Sequence, residues 1–377
     1  MVFVSVSLRV KVDVEAANMV ESVGNYSRHR IIPVITQNYD EDGNVKYDLM
    51  YLTGISGQSL GNAFSRALAD IVIRRNHAIC NECREYAMIG GFPKRPVLTD
   101  NDSIDKRVCE CTIEDVTGFL ATKGQESEGE KGAAIRRTSK IWFSYMVPDA
   151  DSIKHSPPIP QFHVRYGRRE DEQKIYTVES GSAIYRFMIG IDVDGIGKLT
   201  NGTCVEDRKE RIKDVFDALL QMFNGYLGAK KARYLPQMEF LGGIAAIVHP
   251  YRFMVSLARV KLTKEGKLIP WYLTDTLERA EQFMNTVNDS EISQPDQSSL
   301  HLHLLYFDNE FNIDLQIEND SQTKNNLQAK NRIQVIKARN FEDFISKIKK
   351  ETLDLLKKFS CTTINCKELL EKASKQE

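Results

Sequence analysis

The first fifteen residues restrict the fold more than any other stretch of the chain. In "VFVSVSLRVKVDVEA", apolar side chains occupy every even-numbered position from residue 2 to residue 14, and mainly polar ones lie between them. A period of two places the apolar set on one face of a β-strand. We therefore predict a long antiparallel strand at the start of the chain.

Helical periodicity replaces this alternation in other segments. In "ISGQSLGNAFSRALADIVIRR", apolar residues recur at helical spacing from Leu60 to Ile71, and Ser56 or Ser59 can cap the helix N-terminus. Further amphipathic helices are predicted in "VEDRKERIKDVFDALLQMFNGYLGA", at 274–287 and in "FEDFISKIKKETLDLLKKF".

More strand patterns follow along the chain. They lie in "KIWFSYMVP", in "KIYTVES" and "AIYRFMIGIDV" with a turn or bulge at Ser180–Gly181 between them, in "MEFLGGIAAIVH", in "FMVSLARVKL" and in "LHLHLLYF". Antiparallel strands with intervening helices favour an α+β fold over a doubly wound parallel sheet.

Composition excludes some classes of protein. The 377 residues carry 51 Lys plus Arg against 52 Asp plus Glu, so net charge gives no sign of a polyanionic partner, although basic clusters such as "RYGRR" and "RKERIK" occur locally. No apolar run approaches the roughly 18 residues of a membrane span. We expect a cytoplasmic protein without a membrane partner.

The seven cysteines are unevenly placed, and four of them form two close pairs. The pairs are "HAICNEC" and "VCEC", so His77, Cys80, Cys83, Cys109 and Cys111 compete for four tetrahedral positions. This pattern favours structural zinc bound by the four cysteines, with His77 as an alternative ligand, in a small insertion that lacks its own core. Unligated cysteines or a disulfide are the alternatives.

Two stretches have the composition of phosphate-binding sites. The helix start in "GISGQSLGNAFSR" offers backbone N–H groups to an anion, and the alternative is an ordinary capped helix. In "GAKKARYLP" an arginine lies beside an aromatic residue, as in single-strand grooves, and the alternative is a plain helix C-cap. The scattered histidines, and the lack of a Walker motif, predict no standard active site.

Taken in order, six segments resemble one known family. They are "NMVESVGNYSRHR", "SGQSLGNAFSRAL", "VTGFL", "RRTSKIWFSYMVPD", "YTVESGSAIYRF" and "GAKKARYLPQMEF". This succession resembles the CRISPR-associated autoregulator DevR family, which supplies the guide-RNA-binding backbone subunit of type I Cascade complexes, and in particular its archaeal type I-A form. The resemblance spans most of residues 1–260.

The resemblance implies a fold and a set of partners. The fold would be a modified RNA-recognition-motif (ferredoxin-like) core with an antiparallel sheet and inserted lobes. The core would comprise residues 1–75 and 140–260, and a loop at 121–139 would be a thumb-like arm. Composition alone indicates a cysteine-rich insertion at 76–111 beyond the family pattern, a mobile basic loop at 121–139, and an additional α/β region at 261–377 with a C-terminal helix. The implied partners are CRISPR RNA, target DNA through the guide, copies of the chain in a helical filament, and other Cascade subunits.

The resemblance also implies RNA-binding residues. They are Asn18, Ser22, Asn25, Arg28, His29 and Arg30 in the loop after the first strand, Ser56, Gln58, Ser59, Asn62 and Arg66 at the helix start, and Lys230, Lys231, Arg233 and Tyr234 in the basic stretch. Because such a subunit must accept any spacer, it should contact phosphates and stack on bases.

Two other functions remain open at this stage. Repeat-cleaving endoribonucleases share the implied core and use a histidine as general base, for which His29 and His163 are the candidates. A DNA-binding autoregulatory transcription factor is the third possibility, although no helix-turn-helix pattern with a basic recognition helix occurs. We expect a non-catalytic protein.

Overall fold

The fold is mixed α+β, with helices packed on a mainly antiparallel central sheet. The computed structural model describes residues 1–15, 21–23, 26–92, 94–99, 101–123, 133–151, 158–169, 172–228, 235–289, 300–315, 333–359 and 361–374. The strands are β1 (Phe3–Glu15), β2 (Glu21–Val23), β3 (Tyr26–Arg28), β4 (Arg30–Tyr39), β5 (Val45–Gly54), β6 (Phe119–Thr122), β7 (Ala134–Arg137), β8 (Ile141–Phe143), β9 (Val147–Pro148), β10 (Ile159–Arg165), β11 (Lys174–Asp192), β12 (Cys204–Val205), β13 (Gln237–His249), β14 (Lys261–Leu262), β15 (Leu268–Ile269), β16 (His301–Asp308), β17 (Ile333–Lys337) and β18 (Thr363–Ile364).

The helices lie between and after these strands. They are α1 (Gly57–Arg74), α2 (Asn81–Arg84), α3 (Tyr86–Ile89), α4 (Ile104–Glu110), α5 (Thr112–Thr117), α6 (Arg208–Gln221), α7 (Trp271–Asp289), α8 (Phe341–Leu356) and α9 (Cys366–Ser374). Within the described ranges, no helix combines the length and the apolar character needed to cross a membrane.

The predicted first strand is confirmed, and it lies in the middle of the sheet. β1 pairs antiparallel with β11 on one side and with β13 on the other. The sheet continues from β13 to β16 and β17, while β8, β9, β10 and β3 pair with β11. The predicted antiparallel α+β class is therefore confirmed.

Both faces of β1 are buried. Its even-numbered apolar residues pack in the main core with α1, α6 and α8. On the opposite face, the Ser5 hydroxyl donates to the carbonyl of Phe253 (2.9 Å), and the backbone N–H of Ala258 donates to the Ser7 hydroxyl oxygen (2.7 Å). Residues 253–260 thus cover Ser5 and Ser7, whose hydroxyl groups form hydrogen bonds with the backbone of that segment.

Two strand predictions were wrong in detail. β11 runs without interruption through Ser180–Gly181, because Gly181 stays paired with Val14 and Ser180 with Glu15 and Ile159. Residues 253–260 form no strand in the described structure, and only Lys261 and Leu262 of the predicted segment are paired, in β14. The N–H groups of residues 253–260 donate to side chains instead, as Ser256 does to Thr276 Oγ1 (2.9 Å).

The region after residue 260 contributes to the same sheet. β16 pairs with β13, and β17 pairs parallel with β16. α8 packs in the main core, whereas α7 lines a second apolar cluster on the opposite face with β16. The predicted strand at 300–307 and both predicted helices of this region are therefore present.

Two hairpins extend from the central sheet. β4 and β5 form a ribbon whose outward face exposes Ile35, Tyr47, Leu49 and Tyr51, each at 58–69% of its accessible surface. β6 and β7 form the stem of the arm predicted at 121–139, and residues 124–132 of that arm lie outside the described residues.

Candidate nucleic-acid interface and cysteine cluster

The start of α1 is capped and packs closely against the end of β8. Ser56 is the N-cap, and its hydroxyl oxygen accepts a hydrogen bond from the Ser59 backbone N–H (3.1 Å), so the capping role predicted for Ser56 is confirmed. At Gly57 a Cβ atom would collide with the carbonyl oxygen of Phe143. Only glycine allows this approach, which fixes the helix start beside β8.

A strip of polar residues runs along the exposed side of α1. Gln58, Asn62 and Arg66 are four residues apart and therefore share one face of the helix. Gln58 and Asn62 are exposed, and neither side-chain amide makes a hydrogen bond to another described residue. These two amides are available to a ligand.

A cavity of about 330 Å³ opens beside this strip. We call it the α1 cavity. It is lined by Gln58, Gly61, Asn62, Phe64, Ser65, Phe92, Lys94, Thr117, Ser139, Ile141 and Phe143.

The wall opposite α1 comes from the turn after α3. Phe92 is held by stacking on Tyr86, with ring centroids 4.7 Å apart and planes inclined by 13°. The Lys94 ammonium donates to the carbonyl of Thr117 (3.2 Å), and burial lowers the pKa of Lys94. Lys94 and Arg95 both adopt left-handed backbone conformations (φ 50° and 44°), which non-glycine residues rarely do outside functional or tightly determined sites.

The loop after β1 reaches the helix start through Arg30. Arg30 is the cross-strand neighbour of Gly54, two residues before Ser56, and its guanidinium donates to the hydroxyl of Tyr145 (3.3 Å). The structure therefore brings Arg30 together with the residues predicted on α1.

His29 is placed differently. It is 2% exposed, and its backbone N–H donates to the Glu179 carboxylate (2.8 Å). Its imidazole therefore does not face solvent, where RNA would have to contact it.

Of the other residues predicted to bind RNA in the loop after β1 and in the basic stretch, two lie in short strands and six lie outside the described residues. Ser22 lies in β2 and Arg28 in β3. Outside the described residues lie Asn18, Asn25, Lys230, Lys231, Arg233 and Tyr234.

Three of the predicted metal ligands converge. The sulfur atoms of Cys80, Cys83 and Cys111 lie within 4.8 Å of one another, and Cys83 and Cys111 are fully buried. Cysteine sulfur at such separations suits a tetrahedral metal ion. The chemistry of the donor set therefore fits zinc, and these three residues would hold it.

Two predicted ligands were wrong. Cys109 forms a disulfide with Cys366, so its sulfur is committed to a bond with a residue 257 positions away. His77 does not belong to the group whose ligand atoms lie within 4.8 Å of one another, and its imidazole Nδ1 lies 2.6 Å from the carboxylate of the fully buried Asp214. A second disulfide joins Cys204 to Cys361, which the spacing of cysteines did not indicate.

Hydrogen bonds within the cluster shift the pKa values of its three thiols in different directions. Hydrogen bonds with Cys111 raise the pKa of Cys80 to about 12 and that of Cys83 well above its usual range. Burial alone would raise the pKa of Cys111, but hydrogen bonds from Cys80 and Cys83 lower it well below the usual value.

Sequence reasoning missed the outer wall of the α1 cavity. Phe92, Lys94 and Arg95 belong to "GGFPKRP". In this stretch an aromatic residue follows a Gly pair, and two cations lie between two prolines. The same combination of aromatic and basic residues marked "GAKKARYLP" as a candidate, so this signal was available in the sequence.

Comparison with known proteins identifies the family. The sequence model described as "CRISPR-associated negative auto-regulator DevR/Csa2" matches residues 6–264. The chain belongs to this family. The matched range begins in β1 and includes α1, the α1 cavity and the cysteine cluster.

Curated family members agree with this assignment. "CRISPR-associated protein Cas7/Csa2 1" of Saccharolobus solfataricus is 31% identical over 256 residues, which cover 63% of this chain and 76% of that protein. From the same organism, "CRISPR-associated aCascade subunit Cas7/Csa2 2" is 30% identical over 260 residues, covering 63% and 77%.

A solved structure named "CRISPR RNA-guided surveillance complex" contains a chain that is also similar. The alignment covers 93% of this chain and 99% of that one, at 10% identity and a TM-score of 0.40. A TM-score this low does not establish a common fold.

Proposed function

We propose that the chain is a cytoplasmic, non-catalytic backbone subunit of a type I Cascade complex that binds CRISPR RNA. Membership of the DevR/Csa2 family carries this proposal, since the match covers residues 6–264 and a 30% identical member is named an aCascade subunit. The burial of His29 gives no support to the endoribonuclease alternative, in which that imidazole would act as general base.

The proposed core is an RNA-recognition motif. β1, α1, β8, β11, α6 and β13 follow one another as β-α-β-β-α-β, and their strands lie in the order β13-β1-β11-β8. α1 and α6 contact each other and pack on the same face. This succession is that of a ferredoxin-like core, and it supports the proposal.

RNA would bind along α1 mainly by its sugar–phosphate backbone. Arg30 and Arg66 supply cations along α1 without a pattern of groups that selects one base. Copies of the chain would follow one another along the guide, next to other Cascade subunits, and the guide would pair with target DNA. The exposed apolar face of the β4–β5 ribbon supports such packing between protein chains.

We also propose that the cysteine cluster binds structural zinc through Cys80, Cys83 and Cys111. The metal would tie the turn before α2 to the α4–α5 junction, which lie about thirty residues apart in sequence. On binding zinc, the three sulfurs would release their thiol protons and act as thiolate ligands.

A binding titration tests the proposed function. Fluorescently labelled single-stranded RNAs of two unrelated sequences should bind with similar affinity, and binding should weaken steeply as salt rises, because phosphate contacts release counterions. Absence of binding at low salt, or a strong preference for one sequence, would contradict the proposal. Incubation with repeat RNA in EDTA should leave the RNA intact, whereas cleavage would favour the nuclease.

A further inference from the structure

The α1 cavity has features that a phosphate-binding strip does not require. A sugar–phosphate backbone needs cations and N–H donors on an open surface, yet this cavity has a volume of about 330 Å³ and aromatic walls. Phe92 and Phe143 both line it, and Phe143 is fixed by a tilted contact with the buried Phe64 ring, with centroids 5.6 Å apart. The space is large enough for one planar heterocyclic ring and its sugar.

The polar groups of the cavity suit the edge of such a ring. Gln58 and Asn62 place two side-chain amides at the rim, one helical turn apart, and neither makes a hydrogen bond to another described residue. Each amide carries both donors and an acceptor, so rotation of the amide matches either kind of group on the ligand. Lys94 adds a donor from the opposite wall.

We propose that the α1 cavity binds one nucleobase of the RNA strand that lies along α1. The base would contact Phe92 or Phe143 with its face and the amides of Gln58 and Asn62 with its edge. This inference rests on the proposed function and extends it, since it assigns a base-binding site in addition to the phosphate contacts. Stacking on an aromatic ring and adjustable amides both tolerate any base, so the site is compatible with a guide of any sequence.

The conformation of the opposite wall supports this assignment. Stacking on Tyr86 holds Phe92 in place, and the ion pairs of Arg95 with Glu110 and Glu114 hold the adjacent backbone in its left-handed conformation. The wall is therefore fixed before a ligand arrives, which reduces the ordering cost of binding.

Photocrosslinking tests the site directly. RNA with 5-iodouridine in place of uridine crosslinks to aromatic rings that stack on the base, and mass spectrometry identifies the peptide. We expect crosslinks at Phe92 or Phe143. A chain that binds this RNA but crosslinks only elsewhere would overturn the cavity proposal and leave the proposed function intact, whereas failure to bind any RNA overturns both.

A matched pair of variants provides a second measurement. Gln58→Ala with Asn62→Ala should weaken binding of a uridine oligomer about five- to a hundredfold, the range expected for loss of two hydrogen bonds to the base. The same variant should bind an abasic ribose-phosphate oligomer as tightly as the unmodified chain does. Gln221→Ala with Gln282→Ala, which removes two exposed amides on α6 and α7, is the control and should change neither affinity.

Two further outcomes are decisive. Equal weakening for the uridine and abasic oligomers would show that the amides contact the backbone, and it would overturn the proposal. Uridine monophosphate distinguishes a strand base from a free nucleotide. If millimolar uridine monophosphate leaves the RNA crosslink unchanged, the cavity binds a base of the RNA strand. If micromolar uridine monophosphate abolishes the crosslink, the cavity binds free nucleotides instead.

Discussion

Arg9 and Asp149 form an ion pair beneath the central sheet, with side chains 1% and 0% exposed. Arg186 of β11 also donates to Asp149 (3.2 Å), and Glu310 accepts from the Arg9 guanidinium (2.8 Å). The network joins β1 and β11 to the segments after β9 and β16. It explains how a charged residue can occupy the middle of a strand that is covered on both faces.

Loss of Arg9 should therefore destabilise the fold strongly. Arg9→Met leaves Asp149 with fewer partners in a buried environment, and we expect the free energy of unfolding in urea to fall by about 3 kcal/mol. Lys11→Met on the same strand is the control. Lys11 is 45% exposed and lies 3.5 Å from Glu239, so its loss should cost less than about 1 kcal/mol. Equal losses in the two variants would contradict this account of the network.

The zinc proposal predicts which cysteines control metal content. Protein purified without chelator should contain about one zinc per chain, and Cys83→Ser or Cys111→Ser should lower that content. Cys109→Ser should not, because Cys109 is bonded to Cys366. Elemental analysis measures all four proteins. A zinc content clearly below one per chain in the unmodified protein would rule out the site.

Arg66 should contribute to the salt dependence of RNA binding. If Arg66 contacts one phosphate, Arg66→Ala should reduce the slope of log affinity against log salt by about 0.7, the value for single strands. Arg339→Ala removes an arginine that is 88% exposed near the start of α8, and it should leave the slope unchanged. Titrations at four or more salt concentrations give both slopes, and an unchanged slope for Arg66→Ala would remove this residue from the interface.

The two disulfides should stabilise the C-terminal segment. Cys361 and Cys366 attach β18 and α9 to residues 157 and 257 positions earlier. We expect Cys361→Ser and Cys366→Ser each to lower the free energy of unfolding by about 2–4 kcal/mol under oxidising conditions. With reductant present, the variants and the unmodified chain should become similar. Peptide mapping without reductant should recover both cross-linked peptide pairs. Free thiols at all four of these cysteines would contradict the two disulfides.

His249 predicts a pH dependence. Burial lowers the pKa of its imidazole to about 4, below the value of about 6.5 expected in an unfolded chain. Between these values the unfolded state binds more protons, so stability should fall as pH decreases from about 6.5 to 4. The total contribution of this group is at most about 3 kcal/mol. His249→Gln should reduce the slope of unfolding free energy against pH in this interval, and identical slopes would exclude His249 as the source.

Periodicity in the sequence predicted the helices and strands whose apolar pattern lies within the element itself. The alternation around Val6 and the helical spacing from Leu60 to Ile71 each reflect one buried face, and both elements formed as expected. Residues 253–260 have strand-like composition, but their backbone donors bind side chains of β1 and α7, including Ser7 and Thr276. Such pairing depends on residues 20 and 251 positions away, which periodicity does not reveal.

The site was predictable to a similar extent. Capping chemistry and the family resemblance pointed to Ser56, and the resemblance also pointed to Gln58 and Asn62. The cysteine cluster was predicted only in part, because pairing of Cys109 with Cys366 requires the C-terminal segment to return to α4. The combination of Phe92 with two cations was visible in the sequence, but only the folded chain shows that Phe92 lines a cavity with α1.

The central position of β1 has a consequence for synthesis on the ribosome. Both of its neighbours, β11 and β13, are translated more than 150 residues later, which at typical rates is a delay on the order of ten seconds. During that time the nascent chain carries a valine-rich segment whose two hydrogen-bonding edges lack their native partners. Strands of this composition associate readily with one another. Adjacent ribosomes on one message would hold several copies of this segment close together, so chaperone binding to nascent chains should begin well before β11 is made.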